Sequence, residues 1–133
     1  MSEQDPRPDG DVVEVQIPTS VAYVATLRLT TASLAARCDL TIDDIEDLRL
    51  AVDEACALLL PHATEQTSLT ARFQLFPGRL AVSASVTTAD GAGPDRTGFA
   101  WTVLGALASS VDVAQDSDTL TITVTKAREA ASA

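Results

Sequence analysis

The stretch that decides the fold is residues 41–56, which read Thr41-Ile-Asp-Asp-Ile-Glu-Asp-Leu-Arg-Leu-Ala-Val-Asp-Glu-Ala-Cys56. Thr41 followed three residues later by Asp44 is a variant capping box, and further acidic residues in the first turns suit the helix dipole. Apolar residues then recur at helical spacing, at Ile42, Ile45, Leu48, Val52, Ala55, Cys56 and Leu59. Pro61 stops the pattern, because the residue before a proline is pushed out of helical geometry. The stretch therefore predicts an amphipathic helix.

A strand and another helix precede this segment. Val12, Val13, Val15 and Ile17 give a strand pattern that Pro18 stops, and Thr19 or Ser20 then offers an N-cap. The next apolar or small residues have helical spacing, at Val21, Val24, Leu27, Thr31, Leu34 and Cys38. We expect a helix from about residue 20 to 37.

The second half of the chain reads as a hairpin, a helix and two more strands. Alternating apolar residues over 67–76 and 79–87, separated by Pro77-Gly78, predict the hairpin. A Gly/Pro-rich loop follows, and then a helix over about 98–110 with Phe99, Val103, Leu107 and, as a further candidate, Trp101 facing inward. A short segment near 111–113 and a strand with Leu120, Ile122 and Val124 complete the order β, α, α, β, β, α, β, β. That order predicts an α+β two-layer sandwich, with helices on one face of a mixed, mostly antiparallel sheet.

Length and charge limit the function. The 133 residues fit one domain, here residues 11–127, with a disordered arm over 1–10 and a frayed tail over 128–133. The net charge of −10 repels phosphate backbones, so no nucleic-acid partner is expected. The same charge favours a basic protein partner or serves solubility alone.

Localisation and metal content follow from similar observations. The sequence has no leader-like apolar run and no run long enough to span a bilayer, so we expect a cytoplasmic protein without a membrane partner. Cys38 and Cys56 fall in apolar helical patterns and read as reduced core thiols. His62 is the only histidine, so no structural zinc site is expected.

The segment from Thr41 to Cys56 closely resembles the N-box helix of the RsbW and SpoIIAB anti-sigma factors, which are members of the GHKL ATPase superfamily. Its Leu48–Glu54 run is most similar to the UsfX branch. The resemblance extends over about residues 12 to 126, because the order of elements matches and Gly98–Leu107 falls at the second glycine box and helix. It implies a GHKL (Bergerat) fold, ATP and magnesium as cofactors, and a homodimer. It also implies two protein partners, an alternative sigma factor of the stress or sporulation type and a STAS-domain anti-anti-sigma factor.

The N-box of the family pairs a catalytic glutamate with an asparagine four residues later that binds magnesium. Glu54 matches the glutamate, with a solvated helix glutamate as the alternative. Leu58 stands in place of the asparagine, and an aliphatic side chain cannot coordinate a cation that requires oxygen ligands. The resemblance therefore assigns Glu54 a catalytic role but supplies no metal ligand.

The first glycine box of the family, Asp-x-Gly-x-Gly, falls on Ala89 to Gly93. Gly91 and Gly93 are in phase as nucleotide-binding glycines, but the carboxylate of Asp90 is displaced by one residue. In an extended strand end that shift turns it to the opposite face, and a one-residue bulge would restore it. A plain Gly/Pro turn is the alternative.

The phosphate-binding part of the family site is shortened here. Only residues 94–97 remain of the mobile lid, too few to span a triphosphate at about 3.3–3.6 Å per extended residue. Gly98 keeps one glycine of the second box, and Ala100 replaces the other. Thr119 resembles a family threonine near the phosphates, although Asp118 replaces the usual preceding glycine.

The protein-binding residue of the family is retained. Counting back without a gap from Glu54, Arg28 lands on the arginine that the family uses against both the sigma factor and the anti-anti-sigma factor; a solvated arginine is the alternative. We therefore expect an anti-sigma factor controlled by a STAS protein, with a degenerate nucleotide site and at most very weak kinase activity. The alternatives are an active ATP-dependent Ser/Thr kinase of the STAS protein, and a degenerate domain with another partner.

Overall fold

The fold, seen in a computed structural model, is described for residues 6–89, 93–94 and 96–128. In this part of the chain the strands are β1 (Asp11–Pro18), β2 (Ser68–Phe76), β3 (Arg79–Thr87), β4 (Ser110–Gln115) and β5 (Thr119–Ala127). The helices are α1 (Val24–Arg37), α2 (Ile42–Leu59) and α3 (Phe99–Leu107). Short 3₁₀ turns over Val21–Tyr23 and Leu60–His62 precede α1 and follow α2.

The five described strands form one sheet in the order β1-β2-β3-β5-β4. Neighbouring strands are antiparallel at every pairing, so the sheet is more regular than the mixed sheet expected from the sequence. The predicted α+β two-layer fold is confirmed.

Strand alternation gives the sheet one buried and one polar face. A single row of apolar residues crosses all five strands, formed by Val13, Phe73, Val82, Val124 and Val111. The three helices cover this face, and the core includes Leu27, Leu48, Val52, Leu59 and Leu104. The other face carries hydroxyl side chains, including hydrogen-bonded Ser83–Thr123 and Ser85–Thr121 pairs.

The capping box of α2 is confirmed. Thr41 Oγ1 accepts a hydrogen bond from the Asp44 backbone N–H (3.1 Å), and Asp44 Oδ2 accepts one from the Thr41 N–H (3.2 Å). Each side chain thus satisfies a backbone donor that the first helical turn leaves unpaired. Asp44 is buried, so the capping box belongs to the packed interior of the domain.

The cysteine prediction is also confirmed. Cys38 and Cys56 are free and buried. Burial raises the pKa of Cys38 to about 11 and that of Cys56 to about 12, which keeps both thiols protonated near neutral pH.

The predicted inward faces are wrong at helix ends. Phe99 was expected to face inward but is 83% exposed; Leu104 is the fully buried residue of α3, with Trp101 and Leu107 packed against the core. Val21 and Ile42 are also exposed. All three lie in the first turn of a helical segment, where the chain extends past the edge of the core.

Part of the N-terminal arm packs against the domain. Pro6 is buried, and the Gly10 N–H donates to the Arg7 carbonyl at 2.9 Å. Gly10 has φ +93°, and a Cβ there would lie 2.8 Å from a carbon of the Phe76 ring. Only glycine fits both constraints. Residues 6–10 thus include positions that pack against the domain.

The N-cap of α2 makes a measurable prediction. Thr41→Ala removes the acceptor for the Asp44 N–H and should lower the free energy of unfolding by about 1 kcal/mol, as measured by urea denaturation. Thr30→Ala is the matched control, because the Thr30 hydroxyl only donates to a carbonyl within α1, and it should change stability by less than about 0.5 kcal/mol. Equal losses in the two variants would contradict the role assigned to the cap.

Candidate functional site

Helix α2 presents two functional surfaces, because consecutive helical residues point about 100° apart. Asp53 faces α1, where it pairs with Arg28. Glu54, the next residue, lies two helical turns after Asp47, on the side of α2 that faces α3. The two neighbouring carboxylates therefore belong to different surfaces.

The α3 side is fixed by a buried lysine on β5. Lys126 is 7% exposed; its Nζ donates to the Leu107 carbonyl at 3.0 Å and to Asp47 Oδ2 at 3.3 Å. The C terminus of α3 is thereby tied to the first half of α2. The positive charge of Lys126 near the C terminus of α3 also interacts favourably with the dipole of that helix.

Helix α3 begins after Gly98, and its C terminus lies near Asp47 of α2. Gly98 is its N-cap residue and provides no side-chain cap, which leaves a helix N terminus of the kind that binds phosphate groups.

Glu54 is half-buried and forms no hydrogen bond or ion pair with any residue that the structure describes. Leu58, one turn later, packs against the apolar core. Within the described ranges there is also no group of three or more His, Cys, Asp or Glu side chains that could hold a metal ion. Leu58 offers no oxygen ligand where the resemblance places the asparagine, so the residues present do not fit the magnesium site that it implies.

Two of the remaining predicted nucleotide residues, Gly93 and Thr119, lie at the end of the sheet where β4 leads into β5. Gly93 approaches β4 so closely that a Cβ would lie 2.8 Å from Gln115 Oε1. Asp90 and Gly91 lie outside the described residues. Thr119 begins β5 and pairs with Thr87, on the face of the sheet opposite to the helices. Thr119 thus lies on the face of the sheet opposite to the helices that carry Glu54 and Gly98.

The second surface is a groove between α1 and α2. Arg28 Nε lies 3.2 Å from Asp53 Oδ1, and the arginine side chain is 42% exposed. The groove has a volume of 260 Å³ and is otherwise apolar, lined by Val21, Val24, Cys56, Ala57 and Leu60. Burial raises the pKa of Asp53, while Arg28 and Arg49 oppose that shift. The groove therefore combines an apolar lining with a guanidinium group that is open to a partner.

A family model for the histidine kinase-like ATPase domain matches residues 17–126 of the chain. The chain belongs to this family. The match includes the three helices, the strands β2 to β4, nearly all of β5 and the last two residues of β1, so the candidate site lies inside the histidine kinase-like ATPase domain.

Curated relatives are similar over about half of this chain. The chain is 41% identical over 75 residues to the serine-protein kinase RsbW of Bacillus velezensis, covering 54% of this chain and 47% of that protein. It is 38% identical over 77 residues to the serine-protein kinase RsbW of Bacillus subtilis, covering 56% and 48%. The chain thus spans about half the length of the curated relatives it matches.

A solved structure supports the fold of the ATPase domain. The RsbU and RsbW domains of a Mycobacterium tuberculosis protein superpose with a TM-score of 0.68, over 90% of this chain and 34% of that one, at 16% sequence identity. In the part of the present chain that the structure describes, no helix is long and apolar enough to cross a membrane.

Sequence reasoning missed two parts of this arrangement. Lys126 continues the alternation of the buried positions Leu120, Ile122 and Val124, which could have identified it as an inward-facing lysine. Arg49 and Asp53 are four residues apart on one helix, the spacing of an i,i+4 ion pair. The residues that Lys126 and Asp53 contact lie far away in the sequence, so residue spacing could not have predicted these contacts.

The position of α3 should depend on Lys126. Lys126→Met keeps the apolar length of the side chain but leaves the Leu107 carbonyl and Asp47 without their donor, and should lower the free energy of unfolding by about 1–3 kcal/mol. Hydrogen exchange in α3 should also become faster. The control is Arg72→Met on β2, whose ion pair with Glu14 is largely exposed and should be worth less than about 1 kcal/mol. Unchanged exchange in α3 would contradict the positioning role.

Proposed function

We propose that this ATPase-family domain is an anti-sigma factor, which sequesters an alternative sigma factor of the stress or sporulation type and releases it to a STAS-domain anti-anti-sigma protein. Similarity to RsbW proteins supports the class of function. The observation that carries the proposal is the groove with Arg28 at its edge, which keeps the features of a protein-binding site. The proposal includes a homodimer that acts in the cytoplasm.

Arg28 is the contact that we assign to the partner. A guanidinium group can pair with a carboxylate through two parallel hydrogen bonds, and arginine is frequent among residues that dominate binding. Val21 and Leu29 belong to the same helical segment as Arg28, and their exposed apolar side chains add area that a partner can bury. Arg28 is half-exposed at the edge of an apolar groove, and this position favours a contact with a partner over the alternative of a solvated surface arginine.

We propose further that nucleotide chemistry is vestigial and that sequestration proceeds without ATP. Leu58 offers no oxygen to a metal, and Glu54 alone cannot position a metal-bound phosphate. The uncapped N terminus of α3 is compatible with phosphate binding, with Gly98 at its start and Gly93 nearby in the chain. Residual nucleotide binding there would not supply the metal that phosphoryl transfer needs. Thr119 lies on the other face of the sheet from the helices.

An active Ser/Thr kinase of the STAS protein is the second candidate. Its support is the half-buried Glu54, which has no partner within the described chain and could act as a base, together with the kinase names of the relatives. The aliphatic residue at position 58 argues against this candidate.

A reconstituted transcription assay tests the anti-sigma function. The purified chain is added to RNA polymerase holoenzymes that contain the housekeeping sigma factor or, separately, each alternative sigma factor of the source organism. We expect inhibition with one alternative sigma factor, without ATP, and recovery when its STAS protein is added. Failure to inhibit any holoenzyme, with or without ATP and magnesium, would refute the function.

The contribution of Arg28 can be measured in the same system. Arg28→Ala should weaken binding of the inhibited sigma factor by about 1–3 kcal/mol, because a charge-assisted contact is lost. The control is Arg37→Ala, which removes an exposed arginine at the other end of α1 and should leave the dissociation constant nearly unchanged. Equal binding by Arg28→Ala and the native chain would exclude Arg28 from the interface.

Phosphate transfer separates the two candidates. With radiolabelled ATP and magnesium, we expect no transfer to the STAS protein above that of Glu54→Ala, which serves as the control. Intact kinase sites work at about 1–100 per second. Transfer at about 1 per second that Glu54→Ala abolishes would establish the kinase instead.

A further inference from the structure

A row of four charged side chains runs along the interface of α1 and α2. Glu46 Oε1 accepts a hydrogen bond from Arg49 Nη1 at 2.8 Å, and Asp53 follows Arg49 by one helical turn. Asp53 in turn lies against Arg28 of α1. Asp53 therefore pairs with Arg28 and lies one helical turn from Arg49, whose positive charge also acts on its carboxylate.

Both arginines have an unused donor. Arg28 Nε and Arg49 Nε are buried atoms without a hydrogen-bond partner in the described structure. Arg28 Nε is close enough to Asp53 for an ion pair, but its N–H does not point at the carboxylate well enough for a hydrogen bond. A buried donor that lacks a partner costs free energy. Either arginine would therefore gain from a closer approach of a carboxylate.

We propose that Asp53 is a two-position carboxylate, which holds Arg28 in the free protein and turns to Arg49 when an acidic group of the partner takes Arg28. The inference rests on the proposed function, because it assigns a mechanism to the same docking groove. It identifies Asp53 and Arg49 as residues that set the selectivity of the interface.

The charges around Arg28 favour such an exchange. A partner carboxylate that reaches Arg28 meets Asp53 beside it, and two carboxylates at one guanidinium group repel each other. Asp53 is already partly desolvated, which makes an unpaired charge there more costly. Movement toward Arg49 removes the repulsion and supplies the missing partner of Arg49 Nε. Each charge remains paired in both states.

The groove defines the partner segment that fits. Its 260 Å³ is smaller than the roughly 300–1,000 Å³ of small-molecule pockets. An apolar side chain suits the lining of Val24, Ala57 and Leu60, and a carboxylate beside it suits Arg28. The occupant is therefore a segment of the sigma factor with an Asp or Glu next to an apolar anchor. A segment without the acid leaves the Arg28–Asp53 pair in place and gains no ionic contact.

The first experiment uses the chain alone. The carboxyl carbon of Asp53 is followed by NMR during a pH titration of the native chain, Arg28→Ala and Arg49→Gln. If Arg49 is near enough to receive Asp53, the pKa of Asp53 rises in both variants, because each loses a cation that favours the charged form. An unchanged pKa in Arg49→Gln would overturn the proposal whatever the partner does.

The second experiment measures binding of the sigma factor that the transcription assay identifies. Asp53→Asn frees Arg28 and should tighten binding about two- to fivefold, the range of a partly exposed ion pair. Arg49→Gln removes the second position of Asp53 and should weaken binding by a similar factor. In the Asp53→Asn background, Arg49→Gln should have no effect, since no carboxylate remains to be relocated.

The outcomes separate the two proposals. If Arg28→Ala leaves binding unchanged, the docking surface is wrong. If Arg28→Ala weakens binding while Asp53→Asn weakens it too or leaves it unchanged, the surface stands and the exchange is overturned. Thermal unfolding of each variant distinguishes a loss of fold from a loss of contact, and Asp53→Asn keeps the shape of the side chain so that the packing is preserved.

Discussion

The packing of α2 against the centre of the sheet is the constraint on which the rest of the structure depends. Its apolar side, with Leu48, Val52 and Leu59, is fully buried over β3 and β5. The capping box at Thr41 fixes where the helix begins, and so determines which residues face α1 and which face α3. A shift of one residue would rotate the helix by about 100° and exchange these surfaces.

This arrangement accounts for how one small domain can lose one activity and keep another. Asp53 and Glu54 are adjacent in sequence, yet they serve separate surfaces of α2. Substitution on the α3 side, as at Leu58, removes an oxygen ligand without disturbing the groove on the α1 side. The fold therefore allows a protein-binding surface on the α1 side of α2 that does not depend on nucleotide chemistry on the α3 side, as the proposed function requires.

The sequence predicted the elements well because the patterns are local. The capping box, the Pro77-Gly78 hairpin and the alternation of β5 depend on neighbouring residues alone. Periodicity identifies a buried face but does not say where a helix extends beyond the core, so Phe99 and Ile42 were assigned inward and are exposed.

The site was harder to predict because its contacts join distant segments. Lys126 meets Asp47 from 79 residues away, and the Arg28–Asp53 pair depends on how two helices pack. Thr119 illustrates the opposite case. Its orientation follows from strand alternation, since Leu120 beside it faces inward. The family resemblance instead places Thr119 near the phosphates.

The most direct measurement is hydrogen exchange on the chain with and without its sigma factor, repeated with ATP and magnesium. The central claim is that the groove between α1 and α2 binds the partner and that nucleotide is not required. It predicts protection over residues 21–31 and 49–60, no change over residues 98–104, and the same result in both nucleotide conditions. Protection centred on the N terminus of α3, or protection that requires ATP, would contradict the account.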